Sequence, residues 1–310
     1  MKIIVMGSGG VGGYFGGILA RAGHDVWFVA RGPHLEAIRA RGLELRTQGN
    51  TYHIADARAI AVPSEAGIDA DLILFSVKTY DTETALAAVK PAVGPKTVVL
   101  TMQNGVDSAD QLIAALGADH VLAGVTYVAA SIVEPGVIAE NGFSRRIAFG
   151  DPAGGHSDRA QRAVDTMVAT GIEAELSLNA RQVIWDKFVL VAPHATVSAL
   201  CQTPIGVTRE TPEAMALYHA LVQEVMAVGV ASGYTFAADT PDKVVANFMG
   251  APPGQMSSLQ RDYGNQRRVE LEFLPGAVVR RGKALGVPTP RFEALYAVLK
   301  VRASTFGGLS

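Results

Sequence analysis

Lys187 stands in the run Trp185-Asp186-Lys187-Phe188, with Val189, Leu190 and Val191 directly behind it. An ammonium set among aromatic and aliphatic groups is partly desolvated, which lowers its pKa and equips it to give up a proton. Lys78 follows the apolar run ending Phe75-Ser76-Val77, and Gln103-Asn104-Gly105 follows the next such run. Both therefore fall just past the carboxyl ends of predicted strands, the edge at which open α/β sheets bind ligands. Each feature also has a plain structural explanation. A lysine at a strand end often reaches to water, Asn-Gly is a common turn, and Lys187 could simply cover apolar surface.

The glycines of Gly7-Ser8-Gly9-Gly10-Val11-Gly12 fit the pattern G-x-G-x-x-G, directly after an apolar strand and before a helix. In such a loop the first glycine permits the tight turn and the second lets backbone approach a pyrophosphate. The third lets the helix pack closely on the sheet. Gly7, Ser8, Gly9, Gly10, Val11 and Gly12 are thus candidate cofactor-binding residues, with N–H groups and the helix dipole to hold the anion. A merely structural turn is the alternative. The second strand, Val26-Trp27-Phe28-Val29-Ala30, ends without an acid and is followed by Arg31. An acid there would accept bonds from the ribose of NAD, whereas a guanidinium suits the extra phosphate of NADP, so NADP(H) is the expected cofactor. Arg31 could also be an ordinary surface arginine.

These residues need a frame to hold them. Apolar runs at Lys2–Met6, Asp25–Ala30, Asp71–Val77, Thr97–Met102, Val121–Ala129 and Arg146–Phe149 alternate with helical patterns, the first following the glycines and running to about Arg21 and the others near 33–40, 82–89 and 108–116. That alternation predicts a parallel sheet covered by helices on both faces. Residues 43–61 read as short antiparallel strands without clear placement. A helix over Arg159–Thr170 and a last strand over Ile172–Leu176 precede a stretch with almost only helical periodicity. The expected boundary falls at Ser177–Ala180, giving an α/β Rossmann-type domain over 1–178 and an all-α domain over 179–310.

Composition narrows the class. The chain has 310 residues with 49% hydrophobic and 18% charged, enough apolar material for two cores. Its formal net charge of −2 lacks the basic footprint of a nucleic-acid binder. One cysteine, Cys201, and an N-terminus that enters strand at once suggest a cytoplasmic protein. The uncharged stretch Phe188–Thr208 is interrupted by Pro193, His194, Gln202 and Pro204 and reads as buried helix and loop, not a membrane span. Seven histidines without a ligand-like cluster give no support for a metal.

In their order, these motifs resemble the ketopantoate reductase (2-dehydropantoate 2-reductase) family nearly end to end. The resemblance is carried by the glycine loop, Arg31-Gly32-Pro33-His34-Leu35, Val77-Lys78 and Gln103-Asn104-Gly105-Val106. It continues through Trp185-Asp186-Lys187-Phe188, Ser257-Ser258-Leu259-Gln260-Arg261-Asp262, Glu270-Leu271-Glu272, Gly276 and Gly286-Val287-Pro288. It implies a Rossmann domain joined to a helical domain like the C-terminal part of 6-phosphogluconate dehydrogenase, with the active site in the cleft and a homodimer as a plausible assembly. By the same resemblance Lys187 matches the general acid that binds the ketone oxygen. Glu270 matches the acid that binds the substrate hydroxyl, and Ser258 a contact to its carboxylate. Asn104 and Lys78 match residues on the nicotinamide-ribose side, and Arg31 the adenosine-phosphate arginine. The implied reaction is NADPH-dependent reduction of 2-dehydropantoate to pantoate, a step of pantothenate biosynthesis.

The substrate half departs from the pattern. Where relatives carry asparagines four and eight residues after the lysine, this chain has Val191 and Ala195, and Pro275 replaces another frequent asparagine. His194 and Ser198 lie on a similar helix face and are candidate substrate contacts in their place, aided by a kink expected at Pro193. His194 reads equally as a satisfied or surface histidine. A reductase of another 2-oxo acid or ketone, and a non-catalytic NADP-binding sensor, are the alternative functions.

Overall fold

The computed structural model describes residues 1–309. The chain forms two compact units, one of residues 1–103 and 108–183, the other of 104–107 and 184–310. In the first unit β1 (Lys2–Met6), β2 (Asp25–Val29), β6 (Leu72–Phe75) and β7 (Val98–Thr101) are parallel neighbours, interleaved with α1 (Gly10–Arg21), α2 (Gly32–Arg41), α3 (Thr82–Val89) and α4 (Ser108–Leu116). Further strands are β3 (Leu43–Thr47), β4 (Asn50–Ile54), β5 (Arg58–Ile60), β8 (Val121–Glu134), β9 (Val137–Gly150) and β10 (Glu173–Leu176), with α5 (Asp158–Ala169) before the last. The strand order is β4-β3-β9-β8-β7-β6-β1-β2-β5, and β10 pairs with β9. Sequence order reverses at β1, where α/β sheets open a crevice for ligands.

Alternation along β1 explains why its run is apolar throughout. Ile3 and Val5 enter a core with Phe15 and Leu19 of α1 and Ile38 of α2, while Ile4 and Met6 enter another with Leu86 of α3 and Leu112 of α4. A strand buried on both faces tolerates no polar face, and each fully buried aliphatic side chain contributes roughly 1.5–3 kcal/mol.

The expected short strands at 121–129 and 146–149 are each 14 residues long. They form an antiparallel hairpin whose register shifts between Val128 and Ala130 and between Ile132 and Glu134. Such bulges break the two-residue alternation by which a strand is recognised, so the outer half of the hairpin carries no readable pattern. Of the strands in 43–61, β3 and β4 are antiparallel as expected, but β5 runs parallel to β2 and extends the central sheet.

The second unit is helical: α6 (Ala180–Cys201), α7 (Ile205–Arg209), α8 (Pro212–Ala231), α9 (Thr240–Gly250), α10 (Ser258–Gly264), α11 (Pro275–Leu285) and α12 (Pro290–Ser304). Its core gathers Trp185 and Phe188 of α6, Tyr218 and Leu221 of α8, Phe248 of α9 and Phe292 of α12. By length and composition α6 and α8 are apolar enough to cross a membrane, yet both supply this core. Helix α6 runs unbroken through Pro193.

Candidate active site

The glycine loop is shaped by its surroundings. Gly7 has φ +96°, and a β-carbon there would come within 2.8 Å of the Val77 nitrogen. At Gly12 it would collide with the Gly7 carbonyl and the Ser76 hydroxyl. Gly10, an unconstrained position of the motif, has no room either, because the Ala130 carbonyl of β8 lies against it. Gly9 differs: a β-carbon would meet nothing within 4 Å. It is the N-cap of α1, and no side chain caps that helix start. An uncapped helix start with open space at its N-cap fits a pyrophosphate, and a side chain at residue 9 would enter that space.

Two residues outside the motif fix the loop. The Ser76 hydroxyl donates to the Gly7 carbonyl at 2.8 Å. His34 links Ser8 to the hairpin turn: Gly136 N–H donates to Nδ1 at 2.9 Å, and Nε2 lies 3.0 Å from the Ser8 carbonyl. Nδ1 accepts, so Nε2 carries the proton and the ring is neutral, in accord with burial lowering its pKa against the opposing Ser8 bond. His34 stands in the Arg31–Leu35 run, but only its 102-residue separation from Gly136 closes the link, and nothing local signals that.

Arg31 stands at the N-cap position of α2 just past β2, with its side chain 67% exposed and 4.0 Å from the Asp81 carboxylate. No acid occupies the end of β2. Lys78 is half-buried beyond β6. Gln103 donates through Nε2 to the Val77 carbonyl at 3.0 Å and to the Thr82 hydroxyl at 2.9 Å, bracing the strand ends.

In the helical unit, α6 is anchored by Trp185, 2% exposed, stacked on Tyr234 with ring centroids 5.1 Å apart and edge-on to Phe188. One turn of this anchored helix delivers Lys187, whose Nζ donates to Asn104 Oδ1 at 2.8 Å. Burial pushes the ammonium down from 10.5 to about 8, and the Glu270 carboxylate pulls it partly back. Glu270 is itself buried and immediately precedes a single helical turn, Leu271–Phe273. Lys187, Asn104 and Glu270 thus form one electrostatic group.

The other substrate candidates are placed differently. Ser258 is half-buried as the first residue of α10. Its neighbour Ser257 caps that helix by accepting from Gln260 N–H and lies 2.6 Å from the Ser198 hydroxyl. Ser198 thereby braces α10. The His194 ring packs edge-on against Phe248 at 5.4 Å, and its Nε2 is shut from solvent without a hydrogen-bond partner. Val191 and Ala195 pack with the helical core. Among the described residues no group of three or more His, Cys, Asp or Glu side chains could hold a metal.

The N-terminal family profile described as "Ketopantoate reductase PanE/ApbA" matches residues 3–154, and its C-terminal counterpart matches 179–303. The chain belongs to this family. Ketopantoate reductases are oxidoreductases, and the α/β unit followed by a helical unit is their architecture. A 2-dehydropantoate 2-reductase of Archaeoglobus fulgidus is 31% identical over 92% of each chain. A solved PanE/ApbA family ketopantoate reductase from Ralstonia eutropha JMP134 is 34% identical, with a TM-score of 0.91 covering 99% of this chain and 100% of that one. A D-mandelate dehydrogenase solved with NADH and anilino(oxo)acetate shares the fold at TM-score 0.91 and 21% identity, each chain covered to 99%.

Proposed function

We propose that this chain is an NADPH-dependent reductase of 2-oxo acids, with 2-dehydropantoate as its first substrate to test and pantoate as product. The observation that carries the reading is the half-buried Lys187 ammonium held by Asn104 and acted on by Glu270. NADPH, when bound, supplies the hydride. The open space over Gly9 and the uncapped start of α1 take its pyrophosphate, Arg31 its adenosine phosphate, and Lys78 its ribose side. Lys187 binds the carbonyl oxygen, steadies the negative charge that grows there and passes it a proton. Asn104 accepts from Nζ and so aims the remaining ammonium hydrogens, while Glu270 favours the protonated amine and binds a substrate hydroxyl. Ser258 contacts the substrate carboxylate. A lysine titrating near 8 is mostly charged at neutral pH and recovers its proton readily after donation.

A second reading, a 2-oxo acid other than 2-dehydropantoate, is favoured by Val191 and Ala195. An amide at either position could offer a substrate a hydrogen bond, and Val191 and Ala195, packed with the helical core, offer none. The test is NADPH oxidation, followed by absorbance, with 2-dehydropantoate, pyruvate and 2-oxoisovalerate in parallel. Rapid turnover of 2-dehydropantoate at low KM supports the first reading. Preference for 2-oxoisovalerate supports the second, and tight NADPH binding without turnover of any of them defeats both.

A further inference from the structure

The arm 104–107 lies between β7 and α4 in sequence, yet it belongs to the helical unit. Its last residue is clasped: Asp107 Oδ1 accepts from Arg281 Nη2 at 2.6 Å and Nε at 2.9 Å, and Oδ2 accepts from Arg280 Nη2 at 2.9 Å. Val106 is buried in the helical core, and its carbonyl accepts from Arg281 at 3.4 Å. Gly105 has φ +94°, and a β-carbon there would come 2.9 Å from the Phe273 carbonyl. Three residues of the arm are therefore pinned, and the fourth, Asn104, presents Oδ1 to Lys187.

We infer that Asp107 is a positioning residue for Lys187: gripped by Arg280 and Arg281, it fixes the arm that sets Asn104 against the lysine ammonium. One of these arginines also reaches the other side of the group. Arg280 Nη1 donates to the Glu272 carbonyl at 2.7 Å, in the turn that follows Glu270. Adjacent positions at the middle of α11 thus hold the arm that carries Asn104 and the turn that follows Glu270. An exposed ion pair contributes little, but Asp107 is 20% exposed and takes a two-pronged grip from Arg281. A hydrogen bond of 2.8 Å is sensitive to small displacements of its acceptor, so a loosened arm costs the lysine its partner while the fold stands.

The inference rests on the reductase reading for its purpose, but its test needs no turnover. The Lys187 titration is followed by NMR in full-length protein carrying 13C-labelled lysine, with the signal assigned by Lys187→Met. Removing an acceptor from the charged form lowers its pKa. Asn104→Ala should lower the midpoint by about half a unit or more, Asp107→Asn should lower it as well, and the double variant should go no further than Asn104→Ala. A midpoint in Asp107→Asn that is unchanged or raised, or effects that add in the double variant, overturns the role. Arg281→Gln is the second entry point if Asp107→Asn fails to fold, with the same expected lowering and the same overturning results. Failure of the reductase reading shows separately, as NADPH left unoxidised by every 2-oxo acid.

Discussion

The Ala130 carbonyl of β8 occupies the place where a β-carbon at Gly10 would stand. Gly10 and Gly9 are adjacent glycines with opposite constraints, one closed by the hairpin and one open to solvent. Gly10→Ala must push the hairpin away and should destabilise the protein by about 1–3 kcal/mol in urea unfolding. Gly9→Ala should leave stability within about 0.5 kcal/mol yet weaken NADPH tenfold or more by fluorescence titration, because its methyl enters the anion space. Equal effects of the two substitutions on stability would contradict this assignment.

Lys187→Ala should reduce kcat by about two orders of magnitude or more while NADPH affinity stays within about twofold, the signature of a bond that matters in the transition state. The protonated lysine is the donor and titrates near 8, so kcat/KM for reduction should be level below pH 8 and fall about tenfold per unit above it. A profile without a break between pH 7 and 9 would remove Lys187 from the proton transfer.

Arg31→Ala should weaken NADPH at least about tenfold and NADH hardly at all, since only the former carries a phosphate for the guanidinium. Parallel losses for both nucleotides would show that Arg31 does not read the phosphate.

Burial holds the His194 pKa down at about 4, against 6.5 in a free chain. The unfolded chain therefore takes up this proton first. The contribution is intact above pH 6.5 and is lost as pH falls toward 4, a loss of about 3–4 kcal/mol at about 1.4 kcal/mol per unit. His194→Gln should flatten this part of the stability–pH curve, and its KM for a 2-oxo acid should stay near that of the parent because the ring faces Phe248. A several-fold rise in KM would instead restore His194 to the substrate.

The parallel sheet and the glycine loop were legible because their signals are local: apolar runs buried on both faces, and glycines at fixed offsets. Lys187 was legible for the same reason, as a charge inside an aromatic run. What could not be read is what depends on distant partners. Gly10 needs the Ala130 carbonyl, His34 needs Gly136, and the Asn104–Lys187 bond joins residues 83 positions apart. Helix periodicity puts Ser198 on one face with His194, but it cannot tell which neighbour meets that face. Here Ser257 does.

Because four residues numbered among the α/β strands fold with the helices, the two halves are not interchangeable cassettes. A chimera joined near residue 184 would carry Arg281 away from its own Asp107 and Lys187 from its own Asn104. Recombination between relatives would then be expected to succeed only where residues 104–107 are transplanted together with the C-terminal half, so this short arm and α11 should be inherited as a single piece.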